Sequence, residues 1–178
     1  MKKLIINADD FGYCKGVNYG IIEAHADGVL TSTTMMANMP GFHHAVELRQ
    51  QHPNLGIGVH LNLTTGSPVL KHLKTIVDTE GNFHSQAYYK GSFIIDQKEV
   101  YDEWKAQIEK TLAAGIQPTH SMRIIMRTFL ATLTTSTSSW LMNTICRSET
   151  TSTIKIQPEE LQIGSYILLK LLFNQKIL

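Results

Sequence analysis

Three features of the sequence predict an α/β fold built on a parallel sheet. Apolar runs of strand length alternate with stretches of helical periodicity, in the order strand, helix, strand, helix, strand. The first apolar run is continuous, as is typical of strands covered on both faces. The 178 residues are 43% hydrophobic and 17% charged, which suits one globular domain with a core.

Seven elements are predicted in chain order: strand 4–8, helix 16–27, strand 29–36, helix 42–51, strand 55–63, helix 97–114 and a strand starting at residue 116. Val17 and Ile21 recur at helical spacing in the first helix, and Gly28 is its stop signal. Thr and β-branched residues favour the second strand, and Pro40-Gly41 breaks the chain before the second helix.

The third strand and the long helix complete the pattern. His60 alternates with apolar residues on the strand, whereas His43, His44 and His52 are expected at the surface of the second helix because adjacent histidines on a helix diverge. The long helix is amphipathic, with an apolar side predicted to hold Val100, Trp104, Ile108, Leu112 and Ala113. The next strand should aim His120 at the site.

Two regions carry candidate functional side chains. Asp9 and Asp10 follow the first apolar run, and His60 falls near the end of the third strand, so a parallel sheet would bring them to one edge. Carboxylates and imidazole together suit a divalent cation. The alternative is that Asp9 and Asp10 only form a turn. The aromatic residues of the loop 67–96 are equally suited to stacking on a sugar ring or to packing under the loop.

Composition excludes several function classes. The net charge is +1 and no basic run occurs, so neither nucleic acid nor an anionic membrane is an expected partner. No signal peptide or membrane-spanning segment is recognisable, and the two cysteines, Cys14 and Cys146, form no zinc or disulfide pattern. We expect a cytoplasmic protein with a small-molecule substrate.

Three ordered motifs resemble the YdjC-type carbohydrate deacetylase family, which includes the chitooligosaccharide deacetylases. They are Asn-Ala-Asp-Asp-Phe-Gly after the first strand, Gly-Val-His-Leu-Asn-Leu-Thr at the third, and Pro-Thr-His after the long helix. The resemblance covers residues 1–120. It implies the N-terminal part of a distorted TIM-like (β/α) barrel and a metal-dependent hydrolase that removes acetyl groups from N-acetylated carbohydrates.

The resemblance also implies roles for individual residues. Asp10 and His60 would be metal ligands, Asp9 would be the base that takes a proton from the attacking water, and His120 would be a supporting residue or the acid. The cofactor would be a divalent metal, with Mg²⁺ favoured and Zn²⁺ as the alternative. The partner would be a small acetylated oligosaccharide, and a homodimer stays open.

The sequence departs from the family directly after His120. Relatives continue with a histidine-rich run, whereas this chain reads Ser-Met-Arg-Ile-Ile-Met-Arg-Thr over residues 121–128. Codons for these residues can be chosen so that a neighbouring frame spells Asp-Ala-His-His-His-Ala-His. We therefore hypothesise that one lost nucleotide shifted the frame. Residues 121–178 would then be an aberrant, poorly ordered tail that lacks the last metal histidine.

Several alternatives remain at this point. A Ser/Thr-rich linker followed by a docking helix could account for the tail. The chain could be a catalytically inactive remnant that binds sugar or metal weakly. A metal-dependent phosphoesterase would also use Asp and His ligands, although no phosphate-binding glycine loop opens a helix.

Overall fold

A computed structural model describes residues 4–123 of the chain. Four strands form one sheet in the order β1-β2-β3-β4, and every neighbouring pair is parallel. The strands are β1 (Asn7–Phe11), β2 (Ser32–Met35), β3 (Gly56–Leu61) and β4 (His120–Arg123). The parallel α/β fold predicted from the sequence is confirmed. The four described strands form an open sheet, which is consistent with part of a barrel.

Three α-helices connect the strands, and a 3₁₀ turn (Tyr88–Lys90) lies in the long loop after β3. The helices are α1 (Lys15–Ala26), α2 (Phe42–Gln51) and α3 (Gln97–Ala113). Helix α2 has the predicted bounds. The Asp96 side chain caps α3 by accepting a hydrogen bond from the Lys98 amide at 2.8 Å, which explains why that helix begins at Gln97.

All four strands begin later than the sequence predicted: β1 and β2 by three residues, β3 by one and β4 by four. Leu4 and Ile5 are 78% and 68% exposed, because pairing of β1 with β2 starts only at Asn7 opposite Ser32. β4 starts at His120 rather than at residue 116. Pro118 has no N–H to donate, and the first bond to β3 is made by the Thr119 amide to the Ile57 carbonyl at 2.8 Å. The apolar run was therefore a poor guide to where each ladder starts.

One face of the sheet carries the hydrophobic core. Met35 and Ile57 pack against α1 and α2 in a first apolar cluster, while Val59 and Leu61 pack against α3 in a second. These strand residues share one face because side chains alternate along a strand and parallel pairing keeps the phase. The helices therefore cover that face of the sheet.

The opposite face is polar and contains small residues. The strand register aligns Thr34 with Gly58 and Gly58 with His120, and His60 lies two residues further along β3 on the same face. Ser32, Thr34 and His60 are all buried on this face. The functional side chains predicted on β1, β3 and β4 are thus carried by a polar face.

Helix α3 buries a polar stripe that the sequence did not predict. Glu103, Gln107 and Thr111 are fully buried at successive helical turns, whereas Leu112 is 40% exposed and Ala113 is also exposed. Gln107 exchanges two hydrogen bonds with the backbone of Asn62, at 3.0 and 2.8 Å. The helix is therefore attached to the end of β3 by amide groups as well as by apolar contacts.

Glu99 and Glu103 attach the following loop to the same helix. The Glu103 carboxylate accepts hydrogen bonds from the Val69 and Leu70 amides at 2.9 and 3.0 Å. Glu99 accepts bonds from the Lys74 and Thr75 amides at 2.9 and 2.8 Å. Burial raises the pKa of the Glu103 carboxyl despite these donors. The two carboxylates hold residues 69–75 against α3.

The predicted division into residues 1–120 and 121–178 stays a prediction, because the described residues end at 123. Residues 121–123 continue β4, one strand with His120. The rest of the predicted tail, 124–178, lies outside the described residues. Among residues 4–123, no helix has the length and apolar character needed to cross a membrane.

We predict that Gly58→Ala displaces the His120 ring. A Cβ at residue 58 would lie 2.5 Å from His120 Nε2, which is far closer than van der Waals contact. We expect a loss of about 1–3 kcal/mol in unfolding free energy, as for an overpacked site. Urea unfolding measures the loss, and the NMR signals of the His120 imidazole report the movement.

Gly56→Ala is the matched control on the same strand. Its Cβ would meet nothing closer than the Thr31 carbonyl oxygen at 3.3 Å, so the cost should be smaller and the His120 signals unchanged. Equal costs for the two variants, with no shift of His120, would contradict this account of the strand.

Candidate functional site

The structure brings Asp10 and His60 together. Asp10 Oδ1 lies 3.1 Å from His60 Nδ1, with the histidine side chain 5% exposed and the carboxylate 48% exposed. Although the distance is short, His60 Nδ1 is buried without a hydrogen-bond partner. A carboxylate oxygen and a ring nitrogen therefore lie side by side at the edge of solvent.

A bulge in β1 sets the position of Asp10. The register with β2 shifts between Ala8 and Phe11, and Asp10 has a φ of 70°. This left-handed conformation is strained for a residue with a Cβ, by an amount of the order of 1 kcal/mol. The Asp10 carbonyl accepts a hydrogen bond from the Tyr13 amide at 3.0 Å. Asp9 and Asp10 therefore belong to a strand bulge, and a turn begins only at Asp10.

Asp9 is held by two donors. Its Oδ1 accepts hydrogen bonds from Asn7 Nδ2 at 2.9 Å and from Thr34 Oγ1 at 3.1 Å. Both bonds fall on one oxygen, and the residue is exposed. The carboxylate is thus oriented by neighbours on β1 and β2 while it stays accessible from solvent.

His120 lies across the polar face. Its ring passes over Gly58, with Nε2 3.5 Å from Ser32 Oγ and Nδ1 2.9 Å from Thr119 Oγ1. Burial lowers the pKa of His120, and the negative charge of Asp9 opposes that shift. The structure therefore places His120 within electrostatic reach of Asp9 and favours its neutral form.

Sequence reasoning missed the polar residues that support this arrangement. Asn7 and Thr34 orient Asp9, and Ser32 approaches His120. Gly58, whose lack of a side chain favours close approach of another group, leaves room for the His120 ring. The available signal was the Ser-Thr-Thr run of β2, because Ser32 and Thr34 are two residues apart and therefore share a face. Those residues were interpreted only as strand formers.

The histidines of α2 are not all surface residues. His43 is exposed, but His44 and His52 are half-buried. His44 Nδ1 lies 3.1 Å from Asn18 Nδ2, and the ring of His52 packs edge-on against His25. The prediction that all three lie at the surface is therefore right for His43 and wrong for His44 and His52.

The aromatic residues of the long loop mostly contact one another. His84 stacks on Tyr88 with ring centroids 3.7 Å apart, and Tyr89 contacts Phe93 edge-on. Tyr89 is buried, and burial raises its pKa to about 12. Tyr88 is 40% exposed. Tyr89 therefore packs under the loop, while the Tyr88 side chain is partly open to solvent.

The donor atoms of Asp10 and His60 fit a divalent cation. Neighbouring ligands of an octahedral Mg²⁺ lie about 3 Å apart when each bond is about 2.1 Å long. The 3.1 Å between Asp10 Oδ1 and His60 Nδ1 agrees with that separation. Within residues 4–123, however, no group of three or more His, Cys, Asp or Glu side chains could hold a metal ion. The described residues thus offer two adjacent atoms of ligand type, on Asp10 and His60.

We predict that His120 makes the stability of the protein sensitive to mild acid. Its pKa is lowered in the folded protein, so the unfolded chain binds this proton more tightly. The contribution of His120 is therefore intact above its ordinary pKa of about 6.5 and is lost as the pH falls below it. Urea unfolding at pH 7.5 and 5.5 should show a smaller loss on acidification for His120→Gln than for the parent chain.

His43→Gln is the control, because His43 is exposed on α2. This variant should show the same loss on acidification as the parent. If His120→Gln and His43→Gln respond equally, the lowered pKa of His120 does not govern the acid response.

A family model described as YdjC-like protein matches residues 3–121. A carbohydrate deacetylase from Brevibacillus brevis is 51% identical over 118 residues, which are 66% of this chain and 47% of the relative. A carbohydrate deacetylase from Halalkalibacterium halodurans is 44% identical over 120 residues, covering 66% of this chain and 51% of the relative. The family model therefore covers the part of the chain that carries the candidate site.

A crystal structure of an Enterococcus faecalis V583 protein, named as a suggested cellobiose-phosphate cleavage protein, is also similar. It has a TM-score of 0.64 and 44% sequence identity, over 68% of this chain and 48% of that protein. The chain spans about half the length of these relatives. Because the family model covers more than half of the chain, the chain belongs to the YdjC-like protein family.

Proposed function

We propose that this chain derives from a carbohydrate deacetylase that hydrolyses the acetamide of an N-acetylated sugar with the help of a divalent cation. The observation that carries the proposal is the side-by-side placement of Asp10 Oδ1 and His60 Nδ1, 3.1 Å apart. The similarity to two bacterial carbohydrate deacetylases supports the reaction class. Chitooligosaccharides are the proposed substrates.

Asp10 and His60 would hold the cation, and Asp9 would act as the base. A bound divalent cation would polarise the acetyl carbonyl and make water more acidic. Asp9 would accept the proton of the water whose oxygen attacks the acetyl carbon, and its bonds to Asn7 and Thr34 would fix its direction. The C–N bond then breaks, giving acetate and a free amine that must also gain a proton.

The neutral form of His120 suits a positioning role in this scheme better than proton donation from the resting state. Burial lowers its pKa, so its ring carries no charge near pH 7. Its contacts with Thr119 and Ser32 would then hold the neutral imidazole ring on the polar face of the sheet, near Asp9. The acid that protonates the leaving amine is left unassigned.

Mg²⁺ is the proposed ion for the chain as it stands. Catalytic zinc sites use three protein ligands, whereas Mg²⁺ keeps several waters and is often held by one or two carboxylates. Asp10 supplies one carboxylate of the kind that holds Mg²⁺, whereas Asp10 and His60 together are one protein ligand short of a catalytic Zn²⁺ site. The histidine-rich run expected after His120 would supply the further ligand, and the shifted frame would account for its loss.

Metal binding tests the ligand pair. Asp10→Asn should weaken the binding of Mn²⁺, used as a spectroscopic substitute for Mg²⁺, by at least about tenfold, because it removes the charge of one of two ligands. Titration followed by electron paramagnetic resonance measures the affinity. Asp102→Asn is the control, since its carboxylate pairs with Lys98 on the surface of α3 and should not affect the affinity.

Equal affinities in Asp10→Asn, Asp102→Asn and the parent would reject the proposed pair of ligands. Loss of binding in Asp102→Asn as well would indicate a general effect of charge rather than a site at Asp10.

Acetate release tests the reaction. We expect N-acetylglucosamine oligomers to be deacetylated with added Mg²⁺ by a protein whose reading frame is restored after His120, and Asp9→Asn to abolish this. Activity of the present polypeptide that disappears in Asp10→Ala would show that the remaining ligands suffice. Its absence here and its return on frame repair would identify the present chain as an inactive remnant.

Sequencing the gene around the His120 codon tests the frame itself. A reading with no histidine-rich run in a neighbouring frame would reject the frameshift. Release of phosphate from a phosphorylated disaccharide, without acetate release from acetylated sugars, would instead favour the phosphoesterase alternative.

A further inference from the structure

We propose that Asn18 is a positioning residue that holds the Asp10 carboxylate beside His60. The inference rests on the proposed function, which assigns Asp10 as a metal ligand. Asn18 lies in the first turns of α1 and touches neither Asp10 nor His60 through any described hydrogen bond. Its side chain is fully buried, so its amide acts entirely within the protein.

Two backbone groups fix the orientation of the Asn18 amide. The Gly12 N–H lies 2.6 Å from Oδ1 and can only donate, so Oδ1 is the acceptor. The Gly41 carbonyl lies 2.9 Å from Nδ2 and can only accept, so Nδ2 is the donor. One buried side chain therefore links the loop after β1 to the residue that precedes α2.

The glycines at both ends of this link are required by the close approach of the two loops. A Cβ at residue 41 would lie 2.8 Å from the Gly12 carbonyl oxygen and 2.9 Å from Cys14 Cα. Gly12 itself has a φ of 97°, a conformation that favours glycine. The backbones thus meet directly, and Asn18 supplies hydrogen bonds to both.

His44 completes the environment of the amide. Its Nδ1 lies 3.1 Å from Asn18 Nδ2, and because Nδ2 is a donor, Nδ1 must be the acceptor. The ring is therefore in the tautomer that carries hydrogen on Nε2. Tyr19 packs edge-on against the same ring, with the two ring centroids 4.8 Å apart. The Asn18 amide thus has three hydrogen-bond partners: Gly12, Gly41 and His44.

The link matters because Asp10 is strained. Asp10 has positive φ, and Gly12 is only two residues further along the chain. The bond from the Gly12 amide to Asn18 fixes the chain directly after the bulge, so it limits the freedom of Asp10 to relax toward negative φ. Relaxation would turn the carboxylate away from His60 Nδ1.

Asn18→Leu tests the proposal, because leucine has a similar volume and makes neither hydrogen bond. We expect Mn²⁺ affinity to fall by about 10–100-fold, the effect typical of removing a residue that orients a metal ligand. Asn18→Asp keeps an acceptor for the Gly12 amide and should retain most of the affinity. Mn²⁺ titration by electron paramagnetic resonance is carried out where thermal unfolding shows each variant fully folded.

Thr111→Val is the stability control. Thr111 is fully buried and donates to the Gln107 carbonyl at 2.9 Å within α3, so its loss should reduce stability without changing Mn²⁺ affinity. If Asn18→Leu and Thr111→Val bind Mn²⁺ equally well, Asn18 is only structural and the proposal is overturned.

A second measurement separates this proposal from the metal assignment. The one-bond Cα–Hα coupling of Asp10 reports the sign of φ by NMR without any metal. We expect it to change in Asn18→Leu and to stay unchanged in Thr111→Val and Asn18→Asp. If the parent binds no Mn²⁺ but the coupling changes, the metal assignment fails while the positioning role stands. An unchanged coupling in Asn18→Leu rejects the positioning role.

Discussion

The left-handed bulge at Asp10 is the constraint on which the candidate site depends. In a regular strand, neighbouring residues point to opposite faces, so Asp9 and Asp10 could not both serve one face of the sheet. The bulge adds a residue to β1 and re-aims the second carboxylate, which brings Asp10 Oδ1 to 3.1 Å from His60 Nδ1. Asp9 meanwhile accepts a hydrogen bond from the side chain of Thr34 on β2.

The polar face of the sheet complements this bulge. Small residues on β2 and β3 leave space above the strands, and the His120 ring uses the space over Gly58 to approach Ser32 from β4. The same strands bury apolar side chains on the opposite face, against α1, α2 and α3. Alternation along each strand thus gives the sheet two different faces: one packs against the helices and the other carries the candidate site.

The sequence predicted the order of the elements because periodicity is a local property. It predicted both ends of α2 correctly and predicted that Asp10 and His60 lie at the same edge of the sheet. It placed β1 too early, because hydrogen bonding to β2 rather than hydrophobicity decides where β1 begins. Strand limits are a property of pairs of segments, which a single apolar run does not contain.

Long-range polar contacts were also beyond the sequence patterns. Glu103 and Gln107 have the composition of an exposed helix face, yet both are fully buried because backbone amides of the loop 62–70 meet them. Asn18 is a similar case, since its partners Gly12 and Gly41 belong to two separate loops. A buried polar residue is indistinguishable from a surface one until its partners are located.

The described contacts that hold Asp10 in place come from β1, β2, the first turns of α1 and the residue before α2. The bulge and the link from Gly12 through Asn18 to Gly41 lie within residues 7–41. His60 lies on β3, between β2 and β4, and His120 approaches the same face from β4. Asp10 is therefore positioned by the earliest part of the sheet. On this geometry, a further histidine supplied after β4 would complete the ligand set and would not be needed to bring the first two ligands together.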